Sequence, residues 1–131
     1  MTSVTESNPA QSNPAESNAG DLTAEDAKLI TLARGARGRV GVSEGAALRD
    51  ETGRTYSAST VSLDGLAISA AALAVAQAAS SGSRGIETMV IIRSEAQFTE
   101  QDRAEIRALG GSDVPVLIVS PSGDVLISER T

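Results

Sequence analysis

The sequence predicts an α/β fold, a three-layer α/β/α sandwich on a five-stranded mixed sheet. Three observations lead there. Helix-like and strand-like stretches alternate through the middle of the chain, which implies parallel neighbours with helices on both sheet faces. Two runs, Ile86 to Ile92 and Val114 to Val119, are rich in Val and Ile, as buried strands are. The stretch from Leu66 to Ser81 carries no charge and is dominated by alanine. It predicts a helix that is apolar nearly all round and belongs at the centre of the fold.

The chain has 131 residues, room for one domain of ordinary size. Apolar residues make up 40% but aromatics only 2%, so Ala, Val, Leu and Ile must fill the core and the elements must approach closely. A net charge of −6 disfavours a surface that tracks phosphates, so no nucleic-acid partner is expected. With Cys 0 there is no disulfide framework, which sits easily with a reducing compartment. No run approaches the roughly 18 to 20 apolar residues of a membrane span. The start lacks the basic and apolar regions of a secretory signal. These features predict a cytoplasmic protein without membrane contact.

Residues 1–20 contain near-copies of one unit, Glu6-Ser7-Asn8-Pro9-Ala10, Gln11-Ser12-Asn13-Pro14-Ala15 and Glu16-Ser17-Asn18-Ala19-Gly20. Ordering them costs roughly 1–2 kcal/mol per residue with nothing to bury in return. They are expected to form a disordered low-complexity tail, or a peptide handle for an unidentified protein partner, ahead of a domain over 21–131.

Thr23 followed by Glu25 and Asp26 marks a helix start, with a hydroxyl cap and acids near the positive end of the dipole. Leu22, Leu29, Ile30 and Ala33 share a face, and the helix is expected to end in the region Gly35 to Gly41, where Gly35 and Gly38 are natural C-cap residues. Arg34, Arg37 and Arg39 lie among these glycines. Their Gly-x-x-Gly-x-x-Gly spacing is not a dinucleotide fingerprint and no strand precedes it. The field at a helix C-terminus explains these arginines better than an anion-binding loop does. A hairpin follows, with arms Gly45 to Arg49 and Arg54 to Val61 around Asp50-Glu51-Thr52-Gly53. After the central helix and the strand at Ile86, Thr99 to Leu109 reads as an amphipathic helix anchored by Ala104, Ile106 and Leu109. Gly110-Gly111 ends it. The strand Val114 to Val119, a turn at Pro121-Ser122-Gly123 and a last strand Val125 to Ser128 complete the domain.

The Gly45-Ala46-Ala47-Leu48 run, the Gly53-Arg54-Thr55-Tyr56 run and the alanine-rich helix behind them resemble the cytidine deaminase family over roughly residues 22–129. The element order resembles that family's fold as well. The resemblance implies ribose contacts at the end of the second strand, where Thr60 and Ser62 replace the family's Asn and Glu. It implies a metal ligand at Ser69, a proton-shuttling Glu at Ala71, and two further ligands at Thr99 and Asp102. None of these positions holds the family's residue, and the chain has Cys 0 and His 0. Zinc in such sites is held by thiolate and imidazole, so no zinc and no other cofactor is expected. Thr99 and Asp102 have the spacing of a helix capping box instead. Glu100 beside Asp102 could hold a hard cation, though paired acids on a short helix are ordinarily just solvated. Ser69 as a nucleophile would need a carboxylate or Lys28 as its base.

The expectation is therefore a catalytically degenerate, cytidine deaminase-like protein with a binding or scaffolding role and a possible vestigial nucleoside pocket at Thr60 and Ser62. The alternatives are a nucleoside deaminase by family assignment, a hydrolase using Asp50, Glu51 or Asp64, or a purely structural partner in a complex. Self-association into a dimer or tetramer is expected too, through a helix face carrying Ala70, Ala74 and Ala78.

Overall fold

In the computed structural model, which describes residues 22–40 and 43–131, the first helix starts where its cap predicts. Thr23 Oγ1 accepts the Asp26 N–H at 3.0 Å, and α1 runs over Ala24–Val40. The tail expected at residues 1–20 lies outside the described residues. The end of α1 at Val40 falls in the expected Gly35 to Gly41 region, although Gly35 and Gly38 themselves lie within the helix. Leu29, Ile30, Ala33 and Ala36 are buried along one face, and this packing outweighs the roughly 1 kcal/mol that a helical glycine costs.

The main sheet begins with the hairpin. β1 (Gly45–Asp50) lies antiparallel to β2 (Thr55–Ser59). Residues 61–68 then depart from expectation. The second hairpin arm stops at Ser59, and β3 (Val61–Leu63) pairs with β4 (Leu66–Ile68) in a separate two-stranded ladder. The central helix, α2, therefore covers Ala70–Ser80 rather than starting at Leu66. The Asp64-Gly65 turn drives this: Gly65 has φ +83°, which glycine adopts freely, and Leu63 sits opposite Leu66.

On its other side β1 is antiparallel to β5 (Ile86–Ile92). β5 runs parallel to β6 (Pro115–Val119), and β6 antiparallel to β7 (Val125–Arg130). The five strands thus stand in the order β2-β1-β5-β6-β7. Among the described residues parallel pairing is confined to β5 and β6, whose crossover is α3 (Glu100–Gly110).

Period-two alternation divides the core. Ala46, Leu48, Met89, Ile91, Val116 and Ile118 pack with α2 and α3, whereas Ala47, Val90, Ile92 and Val119 pack with α1. Three layers result, as expected. Small residues set their spacing: a Cβ on Gly45 would overlap the Ala33 carbonyl oxygen. The same closeness overturns one expectation. Ala70, Ala74 and Ala78 are each 0% exposed and face their own domain, so they offer no stripe to a second helix. No helix among the described residues is long and apolar enough to cross a membrane.

Candidate functional site

The residues matched to the family's chemistry lie at the N-terminal ends of α2 and α3, on one side of the sheet. Ser69 is the N-cap of α2. Its Oγ accepts the Ala72 N–H at 2.9 Å and donates to Glu105 Oε1 on α3, also at 2.9 Å. Gln101 Nε2 donates to the other Glu105 oxygen at 2.9 Å. Both hydrogen-bonding roles of the Ser69 hydroxyl go to fixing the start of α2 against α3. Lys28 lies on α1, across the sheet from Ser69, and is not its base. Ala71 is buried, with 1% of its surface exposed, and presents only a methyl group.

Thr99 and Asp102 form the capping box their spacing predicts. Thr99 Oγ1 accepts the Asp102 N–H at 3.0 Å and Asp102 Oδ2 accepts the Thr99 N–H at 2.8 Å. Asp102 is also one pole of a buried ion network. Arg93 donates to both of its oxygens, at 2.7 and 3.1 Å, and to Glu44 Oε1 at 3.0 Å. A further Arg93 bond, 2.8 Å, reaches the Gln97 carbonyl. Burial alone would raise the Asp102 pKa, but the Arg93 guanidinium and the Thr99 N–H outweigh it, and the carboxyl titrates below its usual range. Burial likewise opposes the charge on Arg93, while Asp102 and then Glu44 hold that charge more firmly still.

Sequence reasoning found Asp102 but missed Arg93, Glu44 and Glu105. The signal for Arg93 was legible: it is a lone charge closing the apolar run Met89 to Ile92. A charge next to so buried a strand needs an acidic partner.

Thr60 and Ser62 are not gathered toward Ser69 by any hydrogen bond among the described residues. Thr60 is half-buried and its N–H donates to the Glu44 carbonyl at 3.3 Å. Ser62 is exposed on β3. The carboxylates of the hydrolase alternative are dispersed. Asp50 is buried and accepts from Ser83 Oγ at 2.5 Å, Thr52 Oγ1 at 2.7 Å, and the N–H groups of Thr52 and Arg54 at 2.8 and 3.0 Å. Burial opposes its charge, but these bonds outweigh the penalty and hold its pKa at about 2. Glu51 accepts the N–H groups of Arg84 and Gly85, and Asp64 is exposed on the β3–β4 turn. Arg34 and Arg37 are committed to the carbonyls of Pro121 and Ser43, each at 3.1 Å. The Arg39 side chain lies outside the described residues.

A cavity of about 130 Å³ lies on the other face of the sheet, lined by Leu22, Asp26, Leu117 and Val125 among others. It is well below the roughly 300 Å³ at which small-molecule pockets begin.

The family model described as cytidine deaminase-like matches residues 22–123. Among solved structures, the chain is similar to cytidine deaminase from Burkholderia pseudomallei, with a TM-score of 0.67 and 22% identity over 79% of this chain and 89% of that one. It is also similar to cytidine deaminase from Mycobacterium tuberculosis (TM-score 0.55, 22% identity, 76% of this chain and 88% of that one). For cytidine deaminase from Mycobacterium leprae the values are 0.56, 18%, 76% and 91%. At these identities the structural likeness speaks for the fold alone. No curated protein matches the sequence.

Proposed function

We propose that this chain, which belongs to the cytidine deaminase-like family, is a binding or scaffolding protein that keeps the fold without the metal chemistry. The observation that carries this reading is the state of Asp102. Its carboxylate stands where the resemblance implies a zinc ligand, yet both oxygens accept hydrogen bonds from Arg93. Catalytic zinc takes about three nitrogen, sulfur or carboxylate ligands and an open position. Here the donors are two capping hydroxyls, Ser69 and Thr99, and one carboxylate already paired with a guanidinium. These residues do not fit the ion.

The second support is Ala71. Deamination requires a group that takes a proton from water and gives one to the leaving ammonia, a role worth roughly 10²- to 10⁴-fold. A buried methyl group cannot perform it. Residual nucleoside affinity, on this reading, runs through the hydroxyls of Thr60 and Ser62, which can contact a sugar without the bidentate geometry of Asn and Glu. A cysteine-free chain fits a cytoplasmic role.

A panel of nucleosides tested by thermal shift, with cytidine-to-uridine conversion followed in the ultraviolet, checks the proposal. No conversion is expected. Stabilisation that disappears in Thr60→Ala/Ser62→Ala assigns the role to ligand binding, and no stabilisation assigns it to scaffolding. Conversion above the buffer rate overturns the reading.

A further inference from the structure

We propose that the cavity beside α1 binds a short aliphatic primary amine in its protonated form. α1 packs on β1, β2 and β5. The same face of the sheet, continued over β6 and β7, floors a cavity of about 130 Å³ next to Leu22 and Asp26. It lies across the sheet from α2 and α3, so the inference goes beyond the binding role proposed above and does not rest on it.

Asp26 supplies the charge. Its Oδ1 accepts from Arg49 Nη2 at 3.0 Å, while its Oδ2 has no hydrogen-bond partner among the described residues. Arg49 is shared with Glu87, Nε to Oε1 at 2.8 Å. One guanidinium therefore faces two carboxylates, and the group keeps a net negative charge. Thr88 Oγ1 accepts from the same Arg49 nitrogen at 3.2 Å, which sets this buried hydroxyl beside Asp26. An ammonium brings three donors and no acceptor to these oxygens. The positive end of the α1 dipole opposes a cation here, but Thr23 already caps it and Glu25 and Asp26 stand in its first turn. An anion finds no match. Arg49 Nη1 lacks a partner, yet it is buried with essentially no accessible surface, so nothing in the cavity reaches it.

The rest of the cavity is apolar. Leu22, Leu117 and Val125 line it, and Leu117 pairs across the ladder with Ser128, which lines it too. A cavity of roughly 150 Å³ admits benzene, a ligand of about six heavy atoms. This one therefore takes a chain of about four carbons with its head group, and a nucleoside is too large for it.

Butylammonium is the probe, with n-butanol and butyrate as relatives that remove or reverse its charge. Titrated into the isotope-labelled full-length protein at matched ionic strength, butylammonium should shift the amide signals of Asp26, Thr88, Leu117 and Val125 along one saturable curve. Butanol should bind about tenfold more weakly, the effect of losing a hydrogen bond between charged groups, and butyrate should not bind. Asp26→Asn keeps an acceptor for Arg49 and loses the charge, so it should weaken butylammonium by about the same factor and leave butanol unchanged. Val125→Phe fills the cavity and should abolish both. Butylammonium that moves these amides no more than amides elsewhere overturns the proposal. So does butanol or butyrate that binds equally well, a comparison made on the native chain alone. Binding that persists undiminished in folded Val125→Phe overturns it equally.

Discussion

Arg93 and Asp102 form a two-pronged ion pair, Nη1 to Oδ2 at 2.7 Å and Nη2 to Oδ1 at 3.1 Å, with 8% and 6% of the two side chains exposed. It joins the end of β5 to the first turn of α3. Removing one member of such a pair leaves the other charge buried alone, at a cost of about 3–5 kcal/mol. Arg93→Met and Asp102→Leu should each be destabilised on that scale in urea unfolding. Asp102→Leu should be the worse, because it also breaks the capping box. The double variant should recover most of the loss. Equal, additive losses would show that the two side chains act separately.

Acid should weaken the fold through carboxylates that are held ionised. Asp50 has its pKa lowered from 3.8 to about 2, and Asp102 is lowered too. For a depressed pKa the stabilisation is present above the unfolded value, about 4, and is lost as pH falls toward the folded one. Melting temperature should therefore drop between about pH 4 and pH 2. Asp50→Asn should be less stable at neutral pH and show a shallower drop. A native profile that is flat across this window contradicts the assignment.

Two glycines should respond oppositely to alanine. At Gly45 the new Cβ would overlap the Ala33 carbonyl oxygen and meet Arg37 Cβ at 2.9 Å, forcing α1 away from β1. The expected cost is about 1–3 kcal/mol, as for other overpacked sites. Gly38 lies in α1 with nothing within 4 Å of its would-be Cβ, so Gly38→Ala should stabilise by up to about 1 kcal/mol. Thermal melts of the two variants check both signs.

Element types were largely readable from sequence where one principle governs. The capping box at Thr99 and Asp102 depends on local chemistry and formed as its spacing predicts. The strands at Ile86 and Val114 follow from β-branched burial. The boundary at Leu66 was harder, because an uncharged run satisfies a helix and a buried hairpin alike. The Asp64-Gly65 turn, flanked by alternating apolar residues, was the discriminating signal. The end of the first helix, Val40, fell in the glycine-rich region expected, but past Gly35 and Gly38, since packing of Ala33 and Ala36 carries the helix through them. The direction of the Ala70, Ala74 and Ala78 face was not readable, since that helix carries no charge and is apolar nearly all round. At the candidate site, sequence located Ser69, Ala71, Thr99 and Asp102, but partners such as Glu105, 36 residues from Ser69, emerge only when α2 and α3 pack.

Ser69→Ala removes the N-cap of α2 and its link to Glu105. The expected loss is about 1 kcal/mol, typical of a helix cap. Ser69→Asn, another good cap, should restore most of it in the same unfolding assay. Failure of Asn to restore stability would show that the Glu105 bond, not the cap, is what Ser69 supplies.

On the function proposed above, the residues at the family's ligand positions hold helices together and not a metal. Zinc content of the native protein, purified without chelator and measured by elemental analysis, tests it most directly. With Asp102 paired to Arg93, Glu105 held by Ser69 and Gln101, and hydroxyls at the other ligand positions, the expected result is traces that wash out on dialysis, and a melting temperature unchanged by chelator. Near-equimolar zinc that survives dialysis, with a melting temperature that falls when it is stripped, would contradict it.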